Sequence, residues 1–359
     1  MLGNVFIYLP AVIYSGSLFM QSLFGTDIPV IVIASIFAVV GAAYAILGGL
    51  RAVAVLDTYS GVGILGLALA VVILALAAVN FDLFTGVPAE RISMIGSLDS
   101  PIPFHTLFTG MIFIQIFYWS TNQNITQKAL AAPTVREAQK GVMAAAIVRV
   151  LIIPPIVVIP GVVAYKMFGD IGDAAYGRLV GEILPGWLAG TFAAMVAAAV
   201  ITTFSAVLNS SVALYSVDFH ERFIGKVNNH WRLGAVVSAL ITVIAIALVP
   251  LFQNAESIIN LLQQLNGLFS MPILSAFVVG LMFRNVSAAA AAFGVLWGFA
   301  TYALYTFVWN PSGLITLHYI HFMVLVLASS IIAALAFNRL VLARRAEYIG
   351  WRFLRENSL

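Results

Sequence analysis

The sequence predicts an all-α, polytopic membrane protein of about ten transmembrane helices. Three observations predict it. Of 359 residues, 62% are hydrophobic and 9% are Asp, Glu, Lys or Arg, where a soluble domain carries roughly a quarter charged residues. The apolar residues gather into segments long enough to cross a hydrocarbon core, about 20 residues each. No series of roughly 10-residue alternating segments, the mark of a membrane barrel, is present. So little charge cannot clothe a soluble surface of this size, which excludes a cytosolic enzyme. A net charge of +3 with no basic stripe argues against nucleic-acid binding. The absence of cysteine excludes disulfides, zinc–thiolate sites and iron–sulfur clusters.

The segments cover residues 4–24, 28–49, 54–80, 104–127, 139–167, 187–216, 233–252, 256–283, 286–308 and 317–339. Backbone groups cannot stay unpaired in lipid, so each is a helix. The first opens MLGNVFIYLP, without the basic start of a cleavable signal. The fifth contains Pro154, Pro155 and Pro160, which predict a kink. The eighth holds Gly267 and Pro272 amid polar residues, which predicts a broken or kinked helix.

The loops set the orientation. One set of alternate connections carries Arg51, Lys128, Arg136, Lys140, Arg222, Lys226, Arg232, Arg284, Arg339, Arg344, Arg345, Arg352 and Arg355. The other set carries Arg91, Lys166 and Arg178. Basic residues mark the cytoplasmic side, so both termini are expected there, with 340–359 a basic cytoplasmic tail. Arg residues interleaved with Trp351 and Phe353 fit either an interfacial amphipathic helix or a solvated tail.

Polar residues at membrane depth carry the functional information. Asp57 lies near the cytoplasmic start of the third span, where an interfacial acid is the plain alternative. In 113–133, Gln115 is followed by Tyr118, Trp119, Asn122 and Gln123 on a helix running toward the cytoplasmic loop. The aromatic pair suits an interfacial belt, whereas the accumulated amides suit a polar cavity. Arg149 is centred in AAAIVRVLIIPPIV, at a depth that costs about 2.5 kcal/mol or more on insertion scales. In 197–223, Thr202, Ser205 and Asn209 share one helical face, with Thr203 beside it. Hydroxyls and carbonyls there suit an alkali cation; small-residue packing is the alternative. Asn260, Gln263 and Gly267 share another face. The five histidines form no paired motif and no Ser–His–Asp arrangement is credible, so an intramembrane enzyme is disfavoured against a transporter or channel.

Four segments carry a more specific signal: AYAILGGLRAVAVLDTYSGV (43–62), FYWSTNQNITQKALAAPTVREAQKG (117–141), VRVLIIPPIVVIPGVVAY (148–165) and ITTFSAVLNSSVALYSVDF (201–219). In order and spacing they resemble the sodium:solute symporter family, in particular its sodium–glucose cotransporter branch. The resemblance runs from about residue 5 to about residue 340. It implies a LeuT-like fold, an inverted-repeat transporter core with helices broken beside a midplane site. Ala199, Thr202 and Thr203 then help bind the coupling sodium, through one carbonyl and two hydroxyls. Asp57 and Ser205 match positions for a second sodium, with Ala206 at a neighbouring hydroxyl position. Tyr118 matches an intracellular gate, with Trp119 beside it. Gln115, Arg149 and Gln263 match substrate-contacting positions. Arg149 replaces the usual lysine, and its planar fork favours an acidic sugar more than a lysine would.

The resemblance also sets the boundaries. Residues 1–339 form one transporter domain: 1–80 the remainder of the first repeat, 104–283 the second repeat, and 286–339 peripheral helices. Its first span matches the third helix of the core repeat. The first core helices are therefore missing, and the chain is expected to be a fragment of a larger transporter, of poor stability alone. The implied function is symport of sodium with a monosaccharide, polyol or sugar acid across the cell membrane by alternating access. A solute sensor or an inactive remnant is the alternative. A channel is disfavoured, because no filter-like repeat or charged ring is present.

Overall fold

The computed structural model describes residues 1–350 apart from 94, 96–99, 101 and 256, and apart from the side chains at 49–51, 123 and 124. Nine helical stretches among the described residues are long and apolar enough to cross a bilayer. They coincide with nine of the ten expected spans, so the chain is a multi-pass α-helical membrane protein.

Helix α1 (Leu9–Phe24) is entered through a π-helical turn, Asn4–Tyr8, and ends at Gly25 in the left-handed region. Helical hydrogen bonding in α2 runs without a gap from Val30 to Ala78, 49 residues. A straight helix of that length would measure about 73 Å, over twice a hydrocarbon core. It is not straight. The Tyr44 hydroxyl donates to the Ala52 carbonyl at 2.9 Å, although eight residues of straight helix place them about 12 Å apart along the axis. The arms Val30–Gly48 and Ala52–Ala78 are thus separate spans joined by an elbow.

After a short turn, α3 (Ala89–Ile92), the chain departs from expectation. The span expected at 104–127 is three pieces: a 3-10 turn at Phe104–Phe108, α4 (Gly110–Ser120) and α5 (Gln123–Leu130). The expected helix carrying Tyr118, Trp119, Asn122 and Gln123 stops at Thr121. Hydroxyls compete with the backbone there: Ser120 donates to the Ile116 carbonyl and Thr121 to the Phe117 carbonyl.

Helices α6 (Val135–Leu151) and α7 (Ile153–Phe168) form one apolar stretch broken at Ile152. Pro154 and Pro155 occupy the first turn of α7, where a missing N–H costs nothing. The expected kink is therefore a restart. Then come α8 (Ala175–Ile183), α9 (Gly186–Ala213), a π-helical stretch Leu214–His220 and α10 (Glu221–Phe223). Next are α11 (His230–Gln253) and α12 (Ile258–Met282). The break expected in 256–283 does not occur: α12 runs through Gly267 and Pro272 as helix. Gly267 is there for space, since a Cβ would strike the Tyr302 ring. Helices α13 (Ala288–Leu304) and α14 (Tyr319–Leu340) complete the bundle.

The tail, expected to be either helical or solvated, is not helical over 344–350 and stays largely exposed. Strand β2 (Glu347–Tyr348) pairs antiparallel with β1 (Phe283–Arg284); residues 351–359 lie outside the described set. Asn338, fully buried, closes this clasp. It accepts from Ser287 N at 3.0 Å and donates to the Asn285 and Arg344 carbonyls at 2.9 and 3.0 Å. Asn338→Ala removes three part-buried hydrogen bonds, each worth about 0.5–1.5 kcal/mol. The expected outcome is a lower thermal midpoint with faster proteolysis after Val341; an unchanged proteolysis rate would count against the clasp.

Contacts divide the chain into two compact units. The first comprises Met1–Gly96 and Gln127–Leu261, the second Ser97–Thr126 and Leu262–Leu359. In the first, α9 packs most extensively on α2. In the second, Met271, Tyr302, Tyr305, Ile320 and Met323 form a core with almost no exposure. These units cut across the expected repeats.

Candidate functional site

The predicted ion residues all lie in the first unit, on α2 and α9. A hydroxyl has one proton and two lone pairs, so its donor partner decides where its lone pairs point. Thr202 Oγ1 donates to Asp57 Oδ1 at 2.8 Å or to the Ala199 carbonyl at 3.1 Å. Donation to Asp57 leaves the Ala199 oxygen and the Thr202 lone pairs free for a cation. Asp57 and Thr202 stand 145 residues apart in sequence, so the fold alone brings them together. Thr203, half-buried, follows on the next position of α9.

Ser205 points elsewhere. Its hydroxyl donates to Gly41 O at 2.8 Å or to Ile201 O at 2.7 Å. The approach of α9 requires a glycine at 41: a Cβ there would lie 2.8 Å from the Phe204 ring. Thr202 and Ser205 are one turn apart on α9, yet their partners Asp57 and Gly41 are sixteen residues apart on α2. The elbow makes this geometry.

Sequence reasoning missed Lys128, which it used only for topology. Lys128 Nζ lies 2.7 Å from Asp57 Oδ2. Its neighbour Gln127 accepts from the Ser210 hydroxyl at 2.9 Å. Asn209, on the face shared by Thr202 and Ser205, has a buried Nδ2 with no hydrogen-bond partner among the described residues.

The predicted substrate residues divide between the units. Gln115, Tyr118, Trp119 and Gln263 belong to the second and Arg149 to the first. Gln263 Nε2 lies 3.5 Å from Met111 Sδ, one turn before Gln115 on α4, and Gln263 Oε1 accepts from Asn266 at 3.4 Å. The structure therefore sets Gln263 against the helix that carries Gln115. Tyr118 packs edge-on against Trp119, with centroids 5.6 Å apart. Arg149 lies in the last turn of α6, a helix with no buried residue.

A separate hollow of about 300 Å³ in the first unit is lined by Val158, Tyr165 and Ala175. Arg91 at its rim lies over the Tyr165 ring and pairs with Asp170. Hydrogen bonding from Arg91, then from the Gly172 amide, holds the Asp170 carboxyl below its ordinary range. With its charges mutually satisfied, this rim ties α3 to the end of α7.

Comparison with known proteins bears on the fold and the family. A solved Na+-coupled sialic acid symporter, in a substrate-bound outward-open state, superposes with TM-score 0.77 over 97% of this chain and 74% of its own. At 17% identity the likeness is one of fold. YidK of Escherichia coli K12, an uncharacterized symporter, is 33% identical over 318 residues, 82% of this chain and 55% of YidK. The sodium/glucose cotransporter of Vibrio parahaemolyticus is 28% identical over 330 residues, 81% of this chain and 60% of that protein. The sodium/myo-inositol cotransporter 2 of Oryctolagus cuniculus is 25% identical over 337 residues, 82% of this chain and 50% of that protein. The chain thus spans between half and three-fifths of these relatives. The profile of the sodium:solute symporter family matches residues 1–298, which takes in both arms of α2, the hydroxyl face of α9 and Gln263 on α12; the chain belongs to that family.

Proposed function

We propose that this chain works in sodium-coupled symport of a sugar or sugar-like solute across the cell membrane by alternating access, with both termini cytoplasmic. The observation that carries the reading is the meeting of the Ala199 carbonyl, the Thr202 hydroxyl and the Asp57 carboxylate. Hard oxygens suit sodium, and a transporter of this fold binds its ions where helices meet at mid-depth. Ala199, Thr202 and Thr203 hold the ion, and Asp57 orients Thr202. Gln115 and Gln263 engage the solute, and Tyr118 with Trp119 gates its release; for Arg149 the resemblance alone supports a solute contact. Amides and a guanidinium match the hydroxyls of a monosaccharide or polyol and the carboxylate of a sugar acid. The glucose, myo-inositol and sialic acid carried in the names of the similar proteins fall in these classes.

The test is sodium-driven uptake of labelled glucose, galactose, myo-inositol and sialic acid into proteoliposomes holding the protein. Uptake of at least one that collapses when choline replaces sodium is expected. In Thr203→Ala, one oxygen is lost and the sodium concentration for half-maximal uptake rises about tenfold. Equal uptake in choline, or an unmoved sodium requirement, would overturn the reading.

A further inference from the structure

We propose that Lys128 is a tethered cation on Asp57, keeping this carboxylate from binding an ion itself and limiting the cluster on α9 to one sodium. The inference rests on the symport reading above and sharpens its ion count. Three observations carry it.

The first is occupancy. Thr202 donates to Oδ1 and the Lys128 ammonium to Oδ2, so both oxygens of Asp57 are engaged. The carboxylate and the ammonium together carry no net charge. A second cation entering there loses the attraction that would drive its binding.

The second is the shortage of other oxygens. Ser205 turns its hydroxyl to the Gly41 and Ile201 carbonyls. The next residue, Ala206, is buried and offers only a methyl group. A second sodium would therefore depend on the Asp57 carboxylate, which Lys128 occupies.

The third is that Lys128 is held in place. The preceding Gln127 is fastened to Ser210 on α9 at 2.9 Å. Adjacent residues of α5 therefore reach α9 and α2 at once. This anchors the backbone next to Lys128, whose partly exposed side chain meets Asp57.

The test is equilibrium binding of radioactive sodium to the purified protein, with choline as the replacing cation. Bound sodium per chain is expected to rise from about one in the wild type to about two in Lys128→Met, where the carboxylate is released. Lys128→Arg keeps the positive charge and is expected to hold the count at one. Asp57→Asn in the Lys128→Met background removes the added ion. If Lys128→Met does not fold, Lys128→Gln carries the same expectation. A wild type binding one sodium and a Lys128→Met protein also binding one would overturn the lock while leaving symport standing. A wild type binding no sodium would overturn the symport reading itself.

Discussion

Gly110→Ala is expected to lower stability more than any other single methyl addition to the second unit. Residue 110 opens α4 where it meets the start of α14. A Cβ there would land on the Ile320 backbone carbonyl. A flexible side chain could swing away, but a carbonyl held in helix cannot. Overpacking costs about 1–3 kcal/mol, and more where nothing can yield. The upper end is expected here. Because α4 also carries Gln115 and the Tyr118–Trp119 pair, its displacement should weaken solute binding too. Thermal unfolding in detergent reads the first effect and solute titration the second. Gly141→Ala is the control: it lies in α6 with nothing within 4 Å of the new methyl. A helix interior gains about 0.5–1 kcal/mol from that change. If the two variants melt together, the close approach of α4 and α14 is wrong.

Asp57→Asn is the second large effect, on ion binding rather than stability. The amide can still accept from Thr202, but the charge-assisted bond becomes a neutral one. Such bonds differ by roughly 1 kcal/mol. Lys128 also loses its counter-ion and stays beside the ion cluster as an unbalanced positive charge. Both changes disfavour sodium, and together they are expected to raise its half-saturation about tenfold, since every 1.4 kcal/mol is a factor of ten. Sodium titration of uptake measures it. Adding Lys128→Met should restore part of the loss, because the coupling between neighbours is not additive. A sodium requirement unmoved by Asp57→Asn would remove Asp57 from the site.

The extent to which this was readable from sequence follows from what hydropathy measures. Averaged over a window, it finds apolar length, so nine spans were legible. It does not see hydrogen-bond competition, so 104–127 read as one span. The signal for its break was present in Ser120-Thr121, whose hydroxyls bond carbonyls of the preceding turn. Conversely, Gly267 and Pro272 read as a break or a kink; the helix is unbroken, and Gly267 makes room for Tyr302. A glycine inside a helix has two explanations, and only the neighbour decides between them. The hydroxyl face of α9 was legible from its spacing. Asp57 was placed at this face only through the resemblance, and with Ser205 rather than Thr202; Gly41 was not foreseen, because it reaches α9 through tertiary geometry. Lys128 was hidden for another reason. A lysine in a basic loop looks like a topology marker, and nothing local says which carboxylate it faces.

The elbow in α2 has one more consequence. Each arm supplies its own acceptor to α9: Gly41 from the first and Asp57 from the second. The hydroxyls of one helical turn therefore work as a logical conjunction, aligned only while both arms are seated. If either arm swings, one anchor is lost and α9 is free to roll, turning its oxygens away. Under the proposed symport, a tilt of either arm would thereby change the coordination of the ion.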